Sequence, residues 1–297
     1  MTLPHGVLVP LTTPFDEQTG DVSAVALREN ARALFEQGVS GLVAAGSTGE
    51  ASLLSDEEAR QIVGWLRDVV PEDRTLIVGA GRESTRATVA ACRAGAEEGA
   101  VAALVRPPSY YGASLTAQAL ITHFRRVAHE SPIPVLIYNI PKYTHVPLTD
   151  TILEALADHE NVAGAKDSSG DLKNFSRYRD AVPNWTLYIG SGALFYAALE
   201  VGAAGGILGV ANFAADIACQ VARAFEGGDK AAAGQAQERL TPLHKEIVAK
   251  LGPAGVKAAM DVAGLHGGHV RPPLLDVSDG DTAKIQDLLQ AARPASV

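Results

Sequence analysis

The sequence predicts an α/β protein, a (β/α)8 TIM barrel with a C-terminal helical extension, and three observations lead to that fold class. Eight short apolar runs recur along the 297 residues, with helical stretches between them. Each run is nearly continuous in apolar residues rather than alternating, as in parallel strands buried on both faces. In addition, 47% of the residues are apolar while only 5% are aromatic, so small aliphatic side chains must do most of the packing.

Eight β-then-α units close naturally into a barrel when each crossover is right-handed. An open doubly wound sheet is the alternative, but the G-x-G-x-x-G motif that favours it after the first strand is absent. The predicted strands, in chain order, span residues 6–12, 41–46, 75–81, 101–108, 134–141, 162–167, 186–192 and 205–212.

The first helices have recognisable ends. Ser55 precedes three acidic residues, which is the pattern of an N-cap followed by acids in the first turn. Gly38 and Gly99 stand where glycines end helices. These signals predict helices over residues 23–38, 55–70 and 84–99.

About 85 residues follow the last predicted strand, more than one closing helix can use. Their apolar spacing predicts several successive amphipathic helices. We therefore divide the chain into a catalytic barrel, residues 1–225, and a helical extension packed on it, residues 226–297.

Composition and charge narrow the function. The formal net charge is -9, and the Arg125-Arg126 pair is the longest basic cluster, so neither nucleic acid nor an anionic membrane is an expected partner. Cys92 and Cys219 are 127 residues apart, which predicts neither a metal site nor a disulfide. With no leader-like N-terminus and no run of ~20 apolar residues, we expect a soluble cytoplasmic protein.

Lys166, in VAGAKDSSGD, is the first candidate for chemistry. It is the one lysine of eight that ends a predicted strand between apolar residues, and barrel active sites lie at the C-terminal ends of strands. A lysine that points into a barrel loses hydration, which disfavours its charged form and favours an amine nucleophile. A buried, ion-paired structural lysine is the alternative. Asp167 points to the other side of the strand, so we expect it to be structural.

Two neighbouring strand ends supply partners for this amine. Tyr138 ends the fifth strand and could shuttle the protons that carbinolamine formation and dehydration require; otherwise it is a rim aromatic. GSTGE, residues 46–50, follows the second strand. Its two glycines allow a tight turn whose N–H groups could bind a carboxylate, although most such turns only connect elements.

GSTGE, YNIP and GAKDSSGD, in this order, closely resemble the dihydrodipicolinate synthase and N-acetylneuraminate lyase family of Schiff-base aldolases. The resemblance spans essentially the whole chain, including TTPF near the start. It implies a barrel enzyme that needs no metal or other cofactor, usually a homotetramer of tight dimers. Its lysine would condense with the C2 carbonyl of pyruvate or a pyruvoyl substrate.

The resemblance also implies site residues. Lys166 would form the imine and Tyr138 would move protons, while Ser47 and Thr48 would bind the substrate carboxylate and complete the relay. Tyr111 would reach across the tight-dimer interface into the neighbouring site, which leaves Tyr110 a structural role. Two further positions, Gly190 and Ile207, would line the pyruvate pocket.

The branch of the family is read from the segment after the fifth strand. The synthase branch carries an arginine two residues after the proline of its YNxP motif, whereas this chain has Tyr143 there, preceded by Lys142. A phenol cannot replace a bidentate guanidinium, so Lys142 and Tyr143 are the candidates for contacting the aldehyde half. SPIPVLIYNIP, GAKDSSGD and GPAGVKAAMDVAGLHGGHVRPPL resemble the 4-hydroxy-2-oxoglutarate aldolase branch more closely.

The expected function is therefore a lyase that cleaves or forms a C–C bond of a 4-hydroxy-2-oxo acid, of the 4-hydroxy-2-oxoglutarate type. The alternative is 4-hydroxy-tetrahydrodipicolinate (dihydrodipicolinate) synthase. N-acetylneuraminate lyase, a sugar-acid aldolase or dehydratase, and a non-catalytic ligand-binding relative stay open. His266 and His269 lie in a glycine-rich loop and predict no metal site, and Arg271 is expected to tie the extension to the barrel.

Overall fold

A closed barrel of eight parallel strands, paired in chain order, forms the centre of the computed structural model, which describes residues 3–293. The predicted fold class is confirmed, and one strand forms within each predicted run. Several runs continue past their strands, because apolar residues such as Leu208 and Val210 are buried in the turns that follow. The strands are β1 Gly6–Pro10, β2 Gly41–Ala44, β3 Thr75–Gly79, β4 Ala102–Val105, β5 Val135–Asn139, β6 Val162–Asp167, β7 Thr186–Ile189 and β8 Gly205–Ile207.

Twelve α-helices surround and extend the barrel within the described residues. The predicted N-cap is confirmed as a capping box: Glu58 N–H donates to Ser55 Oγ (3.1 Å) and Ser55 N–H donates to Glu58 Oε2 (2.8 Å). The helices are α1 Ala24–Glu36, α2 Asp56–Arg67, α3 Thr85–Glu97, α4 Ala117–Glu130, α5 Pro141–Thr144, α6 Asp150–Glu154, α7 Leu172–Ala181, α8 Phe195–Glu200, α9 Ala211–Glu226, α10 Lys230–Leu243, α11 Lys250–Val262 and α12 Asp279–Ala292.

The buried apolar side chains form two layers. A small cluster, which includes Leu8, Ile77 and Tyr188, fills the inside of the barrel. A larger cluster lies between the strands and the helices. Strands in this fold are therefore buried on both faces, which explains why the sequence runs are continuous rather than alternating.

The pairing of β5 with β6 sets the position of the site. Tyr138 lies opposite Lys166 in the parallel register, one residue before each strand ends. Side chains in register on neighbouring strands point to the same face. Tyr138 belongs to the cluster inside the barrel, so both side chains enter it at its C-terminal end.

The segment after the barrel folds back onto it. Helix α9 packs on β1 and α10 packs on α9, while α11 packs against α12. A six-residue π-helical turn, His244–Ala249, joins α10 to α11. The boundary predicted at residue 225/226 falls at the end of α9 and stays a prediction, and residues 294–297 of the predicted extension lie outside the described residues. Between residues 3 and 293, no helix combines the length and apolar character that crossing a membrane requires.

Candidate active site

Lys166 and Tyr138 form the centre of the candidate site. Lys166 Nζ donates a hydrogen bond to Tyr138 Oη over 3.2 Å, and the same nitrogen lies 4.2 Å from the centre of the Tyr138 ring. Both side chains are about 5% exposed. The pair is therefore positioned for exchange of a proton between the amine and the phenol.

A cavity of about 300 Å³ opens over this pair at the C-terminal end of the barrel. The structure brings all but one of the predicted site residues to its lining. The exception is Tyr111. The predicted residues that line the cavity are Ser47, Thr48, Tyr138, Lys142, Tyr143, Lys166, Gly190 and Ile207.

The GSTGE loop presents Ser47 and Thr48 to this cavity, but its turn is built differently from the prediction. The left-handed backbone belongs to Ala45 (φ 49°) and Glu50 (φ 58°) and not to the two glycines. Gly49 is required by close approach instead, because a Cβ there would lie 2.6 Å from the Leu11 carbonyl oxygen. Gly49 N–H and Ala51 N–H both donate to the Gly46 carbonyl.

The turn leaves two donors available. Among residues 3–293, the N–H groups of Ser47 and Thr48 donate to no protein acceptor. These N–H groups and the two hydroxyls lie at the cavity lining, where they could bind a carboxylate. The predicted carboxylate-binding role of this loop is therefore geometrically possible.

Asp167 faces away from the cavity, as strand alternation predicts. Its carboxylate accepts from Asn139 Nδ2 (2.7 Å), Ser169 N–H (3.1 Å) and Ser169 Oγ (2.8 Å), and the residue is 1% exposed. These bonds tie the end of β5 to the loop after β6. Asp167 thus fixes the backbone at the end of β6, next to Lys166.

Tyr111 is the predicted site residue that the single chain keeps away from Lys166. It is 73% exposed and packs edge-on against Tyr110, with ring centres 5.0 Å apart. Both tyrosines line a separate surface groove that shares Tyr143 with the cavity. The predicted reach of Tyr111 into a neighbouring subunit's site stays a prediction.

Lys142 and Tyr143 lie at the cavity where the aldehyde half was expected to bind. Lys142 Nζ donates to the Ala249 carbonyl over 2.7 Å, which uses one of its three hydrogens. Burial, together with the nearby Tyr138 phenol, raises the pKa of Tyr143, so its hydroxyl keeps its proton and can donate. Both residues can therefore act as donors to a ligand.

His244, which no sequence pattern predicted as a site residue, also lines the cavity, where the C-terminal extension places it. Its ring nitrogens contact Ser191 Oγ and Gly192 N, each over 3.2 Å. Burial, with smaller contributions from the positive charges of Lys142 and Lys245, lowers the pKa of His244 to about 4. No local signal marks this residue, because it lies 37 positions beyond the last strand and reaches the site only through packing.

A buried ion pair is a second feature that no sequence pattern predicted. Lys257 Nζ lies 2.6 Å from Glu50 Oε1, with side-chain exposures of 1% and 0%. The same ammonium donates to the His269 carbonyl (2.6 Å) and lies 4.3 Å from the centre of the Phe15 ring. The pair thus joins α11 to the loop that carries Ser47 and Thr48.

The loop after α11 contains the remaining residues that were singled out. Arg271 pairs with Glu58 at 2.6 Å and donates to the Leu53 carbonyl, so it ties the extension to the barrel as expected. His266 contacts Glu29 and His269 contacts Asp276, both partly exposed. Within residues 3–293, nowhere do three His, Cys, Asp or Glu side chains converge as metal ligands would.

Sequence comparisons show which known proteins this chain resembles. Residues 3–292 match the dihydrodipicolinate synthetase family. An uncharacterised DapA-like lyase of Halobacterium salinarum is 36% identical over 285 residues, 95% of this chain and 92% of that protein. The 4-hydroxy-tetrahydrodipicolinate synthase of Methanothrix thermoacetophila is 34% identical over 287 residues, 96% of each chain.

Solved structures agree at the level of the fold. The chloride-inhibited dihydrodipicolinate synthase from Acinetobacter baumannii, complexed with pyruvate, superimposes with a TM-score of 0.92 at 28% identity. The superposition covers 98% of this chain and 99% of that one. Sequence and structure therefore agree that this chain belongs to the dihydrodipicolinate synthetase family and is a lyase.

Proposed function

We propose that the chain is a pyruvate-dependent class I aldolase that forms an imine between Lys166 and a 2-oxo acid. The observation that carries this proposal is the buried Lys166 Nζ, 3.2 Å from Tyr138 Oη, in the lining of a cavity. An amine nucleophile needs desolvation and an adjacent group that moves protons, and this pair supplies both. That the relatives include synthases and a DapA-like lyase also supports it.

In the proposed reaction, the neutral Lys166 amine attacks the C2 carbonyl to give a carbinolamine, which loses water to form a protonated imine. Tyr138 delivers the proton that turns the departing hydroxyl into water. The imine withdraws electrons, so the C3–C4 bond breaks and its electron pair forms an enamine on C3. Tyr138, left as a phenolate by the dehydration, takes the proton of the C4 hydroxyl as the aldehyde leaves and then delivers a proton to C3. Hydrolysis of the resulting imine releases pyruvate and regenerates the Lys166 amine.

The carboxylate of the 2-oxo acid is assigned to the GSTGE loop. The available N–H groups of Ser47 and Thr48, with their hydroxyls, suit an anion at a tight turn. Thr48 is proposed to complete the proton relay with Tyr138. Gly190 and Ile207 line the same cavity and are proposed to contact the pyruvoyl part.

We propose a 4-hydroxy-2-oxo acid of the 4-hydroxy-2-oxoglutarate type as the substrate. The described residues that line the cavity include two lysines, Lys142 and Lys166, and no arginine. Tyr143 stands where the synthase branch is expected to carry its guanidinium. This favours an aldehyde partner other than aspartate semialdehyde.

The second candidate is 4-hydroxy-tetrahydrodipicolinate synthase, which condenses pyruvate with aspartate semialdehyde. The names of several relatives favour it, including the synthase of Methanothrix thermoacetophila. A panel assay distinguishes the two by comparing 4-hydroxy-2-oxoglutarate cleavage with aspartate semialdehyde condensation. N-acetylneuraminate cleavage, in the same panel, covers the sugar-acid alternatives.

A homotetramer built from tight dimers is also proposed. Tyr110 and Tyr111 are two large side chains, 81% and 73% exposed, on one surface of the single chain. Burial against a second subunit would remove both from water and bring Tyr111 towards a neighbouring cavity. Sedimentation velocity measures the assembly, and Tyr111→Phe should then slow turnover; a fully active monomer would contradict this assignment.

Borohydride reduction in the presence of pyruvate tests the imine directly. Peptide mass mapping should find the adduct on Lys166 in the wild type and lose it in Lys166→Ala. The matched control is Lys173→Ala, which removes an exposed lysine on α7 and should keep both the adduct and the activity. A folded wild type that forms no adduct, or an active Lys166→Ala, would contradict the proposed chemistry.

A further inference from the structure

One wall of the cavity comes from the C-terminal extension. His244, Val248 and Ala249 lie on the π-helical turn between α10 and α11, and all three line the cavity. π-Helical turns are rare and occur frequently at functional sites, because the extra residue redirects side chains. The function of His244 in this wall follows from its hydrogen bonds.

The hydrogen bonds of His244 fix which ring nitrogen carries the proton. The Gly192 N–H can only donate, so His244 Nδ1 accepts from it and is unprotonated (3.2 Å). In a neutral imidazole the proton is then on Nε2, which donates to Ser191 Oγ (3.2 Å). The pKa of His244, lowered to about 4 by burial, keeps the ring neutral near pH 7.

The turn that carries Ser191 is shaped for this contact. A Cβ at residue 192 would lie 2.6 Å from Val210 Cγ1 and 3.3 Å from His244 Nδ1, so glycine permits the approach of the ring. Gln237 Nε2 donates to the Gly192 carbonyl over 2.8 Å. The extension therefore holds this turn through two side chains, His244 and Gln237.

Ser191 can donate its own hydrogen to a ligand. Its oxygen already accepts from His244, and among residues 3–293 its hydroxyl donates to no protein acceptor. Ser191 lines the same cavity as Lys142, whose ammonium has two hydrogens beyond the one given to Ala249. Among the described residues in that lining, none is an aspartate or glutamate. A hydroxyl donor, a cation and no acidic side chain together favour an anionic acceptor.

We infer that Ser191, held by His244, and Lys142 form a subsite for a second carboxylate of the substrate, at the end away from the 2-oxo group. The inference rests on the proposed function in that it places the 2-oxo end at Lys166. Ser191 and Lys142 contact the substrate, whereas His244 is a positioning residue that acts through Ser191. The subsite gives the enzyme its selectivity for a dicarboxylic 2-oxo acid.

Calorimetric titration with two ligands of equal chain length tests the subsite. 2-Oxoglutarate carries a distal carboxylate, and 2-oxopentanoate has a methyl group in its place. The wild type should bind 2-oxoglutarate at least about 10-fold more tightly, the effect of one hydrogen bond to a charged group. Ser191→Ala and Lys142→Gln should each remove most of this preference and leave the affinity for 2-oxopentanoate unchanged.

Variants of His244 separate positioning from structural damage. His244→Phe keeps a ring but loses the donor to Ser191, so the preference for 2-oxoglutarate should fall. His244→Gln retains an N–H group at similar reach and should keep most of the preference. Pyruvate lacks the distal group, so its affinity should be the same in the wild type, His244→Phe and His244→Gln. General damage to the cavity would instead weaken pyruvate binding.

Failure of the subsite and failure of the imine chemistry would give different experimental results. A pyruvate adduct on Lys166 together with equal affinities for the two ligands, or with no measurable binding of 2-oxoglutarate, would overturn the subsite alone. A preference for 2-oxoglutarate that Ser191→Ala leaves intact would also overturn it. If the preference depends on Ser191 but borohydride traps no adduct, the imine chemistry fails and the subsite stands.

Discussion

Removal of the Lys257 ammonium should destabilise the fold more than any change at a surface ion pair. Lys257 and Glu50 are 1% and 0% exposed, with 2.6 Å between their charged atoms. In Lys257→Met the Glu50 carboxylate stays buried, and its remaining direct donor is the Arg271 N–H at 2.8 Å. Breaking a buried pair by removing one partner costs about 3 to 5 kcal/mol, a large part of the ~5 to 15 kcal/mol that stabilises a typical protein.

Equilibrium urea unfolding, followed by circular dichroism, measures this cost. The matched control is Arg28→Met at the Arg28–Asp68 pair, which has the same 2.6 Å separation but side-chain exposures of 28% and 63%. Solvent screens that pair, so its loss should change the free energy of unfolding by less than about 1 kcal/mol. The double variant Lys257→Met/Glu50→Gln removes both charges and should recover most of the lost stability.

Equal losses of unfolding free energy in Lys257→Met and Arg28→Met would contradict this prediction. That result would mean that Glu50 gains water or a proton when its partner is removed. A double variant no more stable than Lys257→Met would likewise show that packing of the lysine stem, and not the uncompensated charge, carries the effect.

Three further predictions test the site and the barrel. Tyr138→Phe should slow turnover by about 100-fold to 10,000-fold, and an unchanged rate would remove it from the relay. Gly164→Ala would place a Cβ 1.9 Å from the Thr186 carbonyl oxygen and should destabilise the barrel by at least about 1 to 3 kcal/mol. The control Gly234→Ala, in α10, adds a Cβ that meets nothing within 4 Å and should stabilise the fold by about 1 kcal/mol. Urea unfolding measures both changes, and the opposite order of stability would contradict the prediction. Hydrogen bonds from Arg271 lower the pKa of Glu58 from 4.5 to about 2. The ionised carboxylate therefore stabilises the fold above pH 4.5, and this stabilisation is lost as the pH falls towards 2. The difference in unfolding free energy between wild type and Glu58→Gln should narrow over that range, and a constant difference would contradict the prediction.

Local sequence patterns were sufficient for the barrel. Each predicted strand formed because a continuous apolar run can bury both faces, as in VLIYN of β5. Ser55 began its helix because a capping box needs only residues three positions apart. Strand ends were less predictable, because some residues in the turns, such as Leu208, are also apolar and buried, so the apolar run continues past the strand.

The candidate site was partly predictable for the same reason. Lys166 is unusual in its own local sequence, and the end of a parallel strand has a known place in a barrel. The backbone conformation of the GSTGE turn was predicted less well. Its glycines were expected to supply the tight turn, yet the left-handed residues are Ala45 and Glu50, because neighbouring elements fix that backbone.

The barrel, its eight strands and the placement of Lys166 at a strand end were therefore predictable from local patterns, since these features depend on residues close together in the chain. Two long-range contacts became known only from the folded chain: Glu50 pairs with Lys257, 207 positions away, and His244 contacts Ser191, 53 positions away. Neither contact leaves a local pattern, because the burial that makes each one strong exists only once the extension has packed on the barrel.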